Sequence, residues 1–134
     1  MMRQPSSGKT ADAYRTICRS ARSLPLMQRF AAAEPEIKLA LAMYGFFHAP
    51  SLLPSQREVL GGYLHANALQ AAQAMIELEN IDDLERLREL GWLNAASVDR
   101  LLQSAVRMRR TELIVWLLHL KRQTGGFSDR DFSF

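Results

Sequence analysis

The sequence predicts an all-α fold with no sheet, built from short antiparallel helical hairpins stacked in a solenoid-like bundle. Three observations lead there. Leu and Ala together number 37 of 134 residues, whereas Val, Ile and Thr together number 13; straight-chain residues lose little freedom in a helix, and β-branched ones suit a pleated surface. Apolar residues then recur three and four positions apart, the spacing of one helix face. Helix start and stop residues punctuate the chain at short intervals, among them Pro35, Pro50, Pro54 and Gly91. The length suits one domain with an extension. A single cysteine, Cys18, excludes an internal disulfide framework, and with only three histidines it falls short of a zinc ligand set.

The charge divides the chain. Residues 1–33 hold six basic groups against Asp12 alone, a net of +5, while residues 34–134 hold 11 basic and 13 acidic groups, a net of −2. Residues 1–33 therefore read as a basic N-terminal extension, partly helical, on which the hairpins do not depend. Within it, Thr10 to Ser23 forms an amphipathic helix with Ala13, Ile17, Ala21 and Leu24 on one face. Arg15, Arg19 and Arg22 on another face are the candidate contacts to an anionic partner. The segment's composition, rich in Ser and Arg, is also that of a transit peptide, but Pro25, Gln28 and Arg29 interrupt any secretory apolar run. Ser7-Gly8-Lys9-Thr10 ends like a phosphate-binding loop. Its pattern needs a glycine where Arg3 stands and a preceding strand, so it is rejected as a nucleotide site.

The body is residues 34–126. Pro35 in a first turn flanked by Glu34 and Glu36 starts a helix with Ile37, Ala40, Leu41, Tyr44 and Phe47 as its apolar face, and Pro50 stops it. Ser55-Gln56-Arg57-Glu58 has the form of a capping box for a helix carrying Val59, Leu60, Tyr63 and Leu64. Gly61-Gly62 inside it points to a kink or a close backbone approach. Asn67 caps a helix through Glu79, and Asp82 caps another that closes at Gly91. Ser97 opens a third through Met108, and Thr111 opens a fourth that ends before Gly125-Gly126. Residues 127–134, with three phenylalanines, form an acidic-aromatic tail.

The last four helices repeat. A shift of 29 residues pairs Leu69 with Val98, Ala72 with Leu101, Ile76 with Ala105, Leu84 with Leu113 and Leu87 with Trp116. Asp99 to Lys121, DRLLQSAVRMRRTELIVWLLHLK, resembles an ankyrin-type helix pair: an Ala-containing first helix, a polar turn, and a second helix of the E-L-I-x-x-L-L type. Residues 36–134 also resemble the C-terminal helical module of uncharacterised bacterial proteins of clostridial type, through Thr111-Glu112-Leu113, Leu117-Leu118, Lys121 and Asp131-Phe132. The resemblance implies an ankyrin-like binding scaffold and carries no catalytic residue.

On these grounds the chain is expected to be a cytoplasmic, non-catalytic protein–protein interaction module, an adaptor, regulator or inhibitor. No cofactor or metal is expected. His48, His65 and His119 lack chelating spacing, and the acids from Glu77 to Glu89 alternate with Arg86 and Arg88 as a solvated helix face does. No stretch approaches the ~20 apolar residues of a membrane span. The candidate partner-binding residues are Trp92 beside Gly91, the cluster Arg107, Arg109 and Arg110 at the last turn, and Phe132 and Phe134 of the tail. The partner is another protein or a second copy of this chain. The alternative is a nucleic-acid-binding accessory protein using the basic N-terminal segment with Arg107, Arg109 and Arg110, a reading weakened by the net −2 of the body.

Overall fold

The computed structural model describes residues 6–19, 26–49 and 51–132, with side chains as far as Gln123. Among these residues the chain forms eight α-helices and no strand: α1 (Ser7–Arg19), α2 (Leu26–Ala32), α3 (Pro35–His48), α4 (Pro54–Ala66), α5 (Ala68–Glu77), α6 (Ile81–Glu89), α7 (Ala95–Arg107) and α8 (Thr111–Phe132). They divide into two compact units, Met1–Ala74 and Met75–Phe134.

The first unit is organised around α3. Leu39, Ala40, Leu41, Ala42 and Met43 are all fully buried, a run longer than one stripe can supply. α1, α2 and α4 each pack on this helix, so it is covered on several sides. The expected face of Ile37, Ala40, Leu41, Tyr44 and Phe47 is thus too narrow, and Ile37, Tyr44 and Phe47 are its half-buried margins. The described residues of the N-terminal segment, 6–19 and 26–33, take part in this core, contrary to the expectation that the helices do not need the segment. Thr10, Ala11, Tyr14 and Ile17 of α1 and Leu26 and Phe30 of α2 are buried. The apolar face of α1 is therefore rotated from the expected one: Ile17 lies on both, Ala13 is half-buried, and Ala21 and Leu24 lie outside the described residues.

Close approach of α4 to α3 depends on two glycines. A Cβ on Gly45 would lie 2.5 Å from Leu60 Cδ1 and 3.1 Å from Leu26 Cδ2, and one on Gly61 would lie 2.8 Å from the Phe46 ring. Nothing lies within 4 Å of the same position on Gly62. Of the expected α4 face, Leu60 and Leu64 are buried, Tyr63 is half-buried, and Val59 is exposed. The helix begins at Pro54 rather than at a Ser55 box, and Gln56 Oε1 accepts the Leu53 N–H at 2.9 Å, which satisfies one of the free donors of the first turn. Arg57 donates to the Phe46 carbonyl in the last turn of α3, where a cation suits the negative end of the dipole.

In the second unit, capping differs from expectation by two or three residues. Asn80, not Asp82, caps α6: its Oδ1 accepts the Asp83 N–H at 3.2 Å, and its Nδ2 donates to the buried Asp83 carboxylate at 2.9 Å. Asn94, not Ser97, caps α7 by accepting the Ser97 N–H at 2.9 Å. In the first unit, Asn67 stands between α4 and α5: its carbonyl accepts the Ala71 N–H at 3.0 Å, opening α5, while its side chain turns back and donates from Nδ2 to the Tyr63 carbonyl of α4. Asn80 and Asp82, like Asn94 and Ser97, each offer a side-chain oxygen within three residues, and local sequence alone does not choose between them.

α8 runs through Gly125 and Gly126 to Phe132, where a stop before the glycines was expected. Two glycines weaken a helix by about 1 kcal/mol each without removing a backbone donor, and no proline follows to break the ladder. The tail backbone from Phe127 to Phe132 is thus continuous with α8.

The helix-ending turns recur at a shift of 30 residues, while the shift of 29 pairs buried Ala72 with Leu101, Ile76 with Ala105 and Leu84 with Leu113. α5, α6 and α7 end in the same turn: Glu79, Gly91 and Arg109 have φ of 57°, 77° and 59°. At the first, Asn80 N–H donates to Met75 O at 2.8 Å and Glu79 N–H to Ile76 O at 3.1 Å, the Schellman pattern. Arg110 N–H to Ala105 O and Arg109 N–H to Val106 O repeat it. Glu79 and Arg109 are 30 residues apart, and that shift pairs buried Ala68 with Val98, Ala71 with Leu101, Ala74 with Ser104, Met75 with Ala105 and Leu87 with Leu117. Trp116, aligned with Leu87 by the shift of 29, is half-buried, and Leu117 takes the core position beside it.

Candidate functional site

The basic residues singled out in the sequence have different fates. Arg110, at the start of α8, is built into the fold: its Nη1 donates to Glu79 Oε2 at 3.2 Å and its Nη2 to the Glu77 carbonyl at 3.0 Å. It ties the last turn to the end of α5 and is not free for a partner, which corrects its assignment as a contact residue. Arg107, in the last turn of α7, and Arg109, in the left-handed position after it, are exposed. Arg15 is held by Asp12, one turn away at 2.9 Å, whereas Arg19 is exposed at the end of α1. Trp92, just past Gly91, is half-buried and partnered. Arg22 and Phe134 lie outside the described residues, as does the side chain of Phe132.

Beside Arg107 and Arg109 the hairpin of α7 and α8 has an apolar outer surface that sequence reasoning missed. Asp99 and Lys121 pair across it at 3.0 Å, which fixes the antiparallel register of the two helices. One helical stripe from Asp99 then carries Leu102 and Val106, and the stripe from Lys121 carries Leu118 and Ile114. Val106 is 56 % exposed, Val115 63 % and Leu118 47 %, while Leu102 and Ile114 are half-buried. Thirty residues earlier, Ala72, Ile76 and Leu84, the counterparts of Leu102, Val106 and Ile114, are fully buried, whereas Glu85 and Arg88, the counterparts of Val115 and Leu118, are half-buried. The signal in the sequence is confined to one pair under the shift of 30: Ile76 is closed in its hairpin and Val106, of the same residue type, is open in the next.

A cleft of about 190 Å³ lies on the other side of α8, lined by Glu85, Arg88, Trp116, His119, Leu120 and Gln123. Trp116 Nε1 donates to Glu85 Oε2 at 2.9 Å, and Arg88 Nε donates to Glu85 Oε1 at 2.6 Å. The hydrogen bond from Arg88, aided by that of Trp116, holds the Glu85 carboxyl below the usual carboxylate range and opposes its partial desolvation. The same pairing raises the Arg88 guanidinium. A carboxylate so engaged is a weaker proton acceptor than a free one, and the Trp116 bond ties α8 to α6.

Near the start of α3 a second polar cluster has a structural role. The buried Glu36 carboxylate accepts the Ser6 N–H at 3.0 Å, and Ser6 O receives both the N–H and the hydroxyl of Thr10. The first turn of α1, where Ser7-Gly8-Lys9-Thr10 stands, is thus already served by a carboxylate of this chain. Lys38 lies 4.9 Å from the Phe30 ring centre and 5.4 Å from that of Tyr63, joining α2, α3 and α4 through their aromatic faces. Burial, with the nearby Glu36 charge, pushes the Tyr63 phenol up.

Among the described residues no three His, Cys, Asp or Glu side chains are grouped to hold a metal ion. No helix among them is long and apolar enough to cross a membrane. Comparison with family models, curated proteins and solved structures finds no match for this chain.

Proposed function

We propose that this chain is a non-catalytic protein–protein interaction module whose docking face is the outer surface of the α7–α8 hairpin. The observation that carries the reading is the opening of Val106, Val115 and Leu118 to solvent on one side of the hairpin beside Arg107 and Arg109. Exposed apolar side chains grouped on two adjoining helices and edged by arginine have the make-up of an interface centre and its rim. The ankyrin-like reading of the hairpins belongs to this proposal, and the matching Schellman turns and buried registers support it. A protein partner is favoured over nucleic acid because Arg15 and Arg110, two of the basic groups the nucleic-acid reading needs, are already engaged by Asp12 and Glu79.

The test is a photo-crosslinking residue placed at Val115, with one at Glu58 on α4 as control. Adducts formed at Val115 in a lysate of the native host are identified by mass spectrometry, and the captured protein is purified and rebound. The reading requires saturable binding that Val115→Asp with Leu118→Asp abolishes and Glu58→Lys does not. Equal labelling from both positions, or binding indifferent to the double aspartate change, overturns it.

A further inference from the structure

The way one hairpin receives the next within the second unit defines the chemistry of what the last hairpin receives. Where α8 meets the preceding turn and helix, the receiving side is acidic and the incoming side basic and aromatic. The Glu79 carboxylate and the Glu77 backbone carbonyl take the Arg110 guanidinium, and the Glu85 carboxylate takes the Trp116 indole N–H. Carried forward by the 30-residue register, the receiving positions Glu77, Glu79, Glu85 and Arg88 become Arg107, Arg109, Val115 and Leu118. All four of these are exposed. The two turns share one backbone conformation, with φ of 57° at Glu79 and 59° at Arg109 and the same pair of closing hydrogen bonds.

Resting on the docking face proposed above, we infer that its occupant is an acidic amphipathic helix: aliphatic side chains against Val106, Val115 and Leu118, and carboxylates against Arg107 and Arg109. The polarity of the internal contact is reversed at the free end. Inside, Arg110 meets the Glu79 carboxylate; at the open face the corresponding residue is Arg109, with Arg107 beside it, and a carboxylate is the group that satisfies these guanidinium groups with charge-assisted hydrogen bonds. Likewise, the glutamate that accepts an indole N–H is replaced by Val115, and the charged partner of that glutamate by Leu118. The occupant therefore presents an aliphatic residue at the level where α8 presents Trp116. A basic helix would set like charges together at the rim, and arginine patches of this kind select partners and their on-rates more than they add affinity.

The probe is a synthetic amphipathic helix of about 18 residues, long enough to cover both helices of the hairpin, with leucines on one face and glutamates along its flanks. A matched peptide carries lysine in place of every glutamate. Binding to the full chain is read by fluorescence anisotropy at low and at physiological salt. The expected result is a preference for the glutamate peptide of about tenfold or more, reduced by salt. Arg107→Glu with Arg109→Glu inverts that preference, and the change at 109 is tolerated by the fold because Glu79 already adopts the same left-handed conformation. Val115→Asp with Leu118→Asp weakens both peptides. Equal binding of the two peptides, or a preference unmoved by the double glutamate change, overturns the inference. If neither peptide binds while the Val115 crosslink still yields a specific partner, the occupant is of other chemistry and the docking face itself stands. If the chain sediments as a dimer that the double aspartate change disperses, the occupant is a second copy and the inference fails.

Discussion

Adding one methyl group at three glycines in the first unit produces effects of opposite sign. At Gly62 the new Cβ meets nothing within 4 Å. Gly62→Ala therefore keeps only the gain in helix propensity, about 0.5–1 kcal/mol of added stability. At Gly45 the same gain is opposed by a Cβ 2.5 Å from Leu60 Cδ1, with both Leu26 methyls within 3.3 Å on the other side. Leu60 is fully buried and has no solvent to turn into. Overpacking of a close-packed core costs about 1–3 kcal/mol, and a clash this short against two buried leucines belongs at the upper end. Gly45→Ala is thus expected to lose about 1–2 kcal/mol net. Gly61→Ala falls between them, because the obstructing group is the ring of Phe46, which is half-buried rather than enclosed. Urea unfolding followed by far-ultraviolet circular dichroism measures all three on the same transition. An unchanged or raised midpoint for Gly45→Ala, or a lowered one for Gly62→Ala, would refute the packing argument.

Further outcomes follow from the same geometry. Ile17→Ala removes a buried side chain of α1 and is expected to cost about 2–5 kcal/mol, and a chain lacking residues 1–33 should show a large fall in Tm. An unshifted melting curve for the truncated chain would contradict the core described for the first unit. Arg110→Ala breaks two bonds to the end of α5 and should cost about 1–3 kcal/mol, whereas Arg107→Ala, at an exposed helix end, should stay within about 0.5 kcal/mol of the parent. Thermal denaturation separates the two, and equal effects would remove the distinction drawn between these arginines. Glu85 has a folded pKa below its unfolded one, so its contribution to stability is complete above the ordinary carboxylate range and is lost as pH falls through the folded value. Acid unfolding monitored by tryptophan fluorescence should therefore be shallower in Glu85→Gln, and an unaltered profile would count against the Arg88–Glu85–Trp116 arrangement.

The helices were legible in the sequence because their boundaries rest on local chemistry. Pro35, Gly91 and Thr111 mark ends that the structure keeps. The caps were misplaced because Asn80 and Asp82, or Asn94 and Ser97, offer competing oxygens within three residues, and only the chain's path selects one. The helix-ending turns recur at a shift one residue longer than the one read from the apolar residues. Apolar content alone scores Leu87 against Trp116 as well as against Leu117, whereas the left-handed turns at Glu79 and Arg109 carry no glycine to announce them. The outer face of α7 and α8 stayed hidden because Val106 and Val115 are apolar and read as core residues from sequence, whereas both are exposed. Arg110 was indistinguishable from Arg107 and Arg109 because the acids that hold it stand some 30 residues away in the chain.

Charge led to a different mistake. A segment of net +5 was read as an extension because solvated basic residues and a buried core were treated as alternatives. An amphipathic helix has room for both: α1 turns Tyr14 and Ile17 inward against α3 while Lys9, Arg15 and Arg19 remain on the water side. The informative quantity was the apolar surface of α3. A helix that is hydrophobic around most of its circumference must be covered from several directions, and α4 covers only one of them. The excess of apolar surface on α3 thus required the residues before it, and the phase of α1, with Tyr14 three residues before Ile17, shows which of its faces meets that requirement.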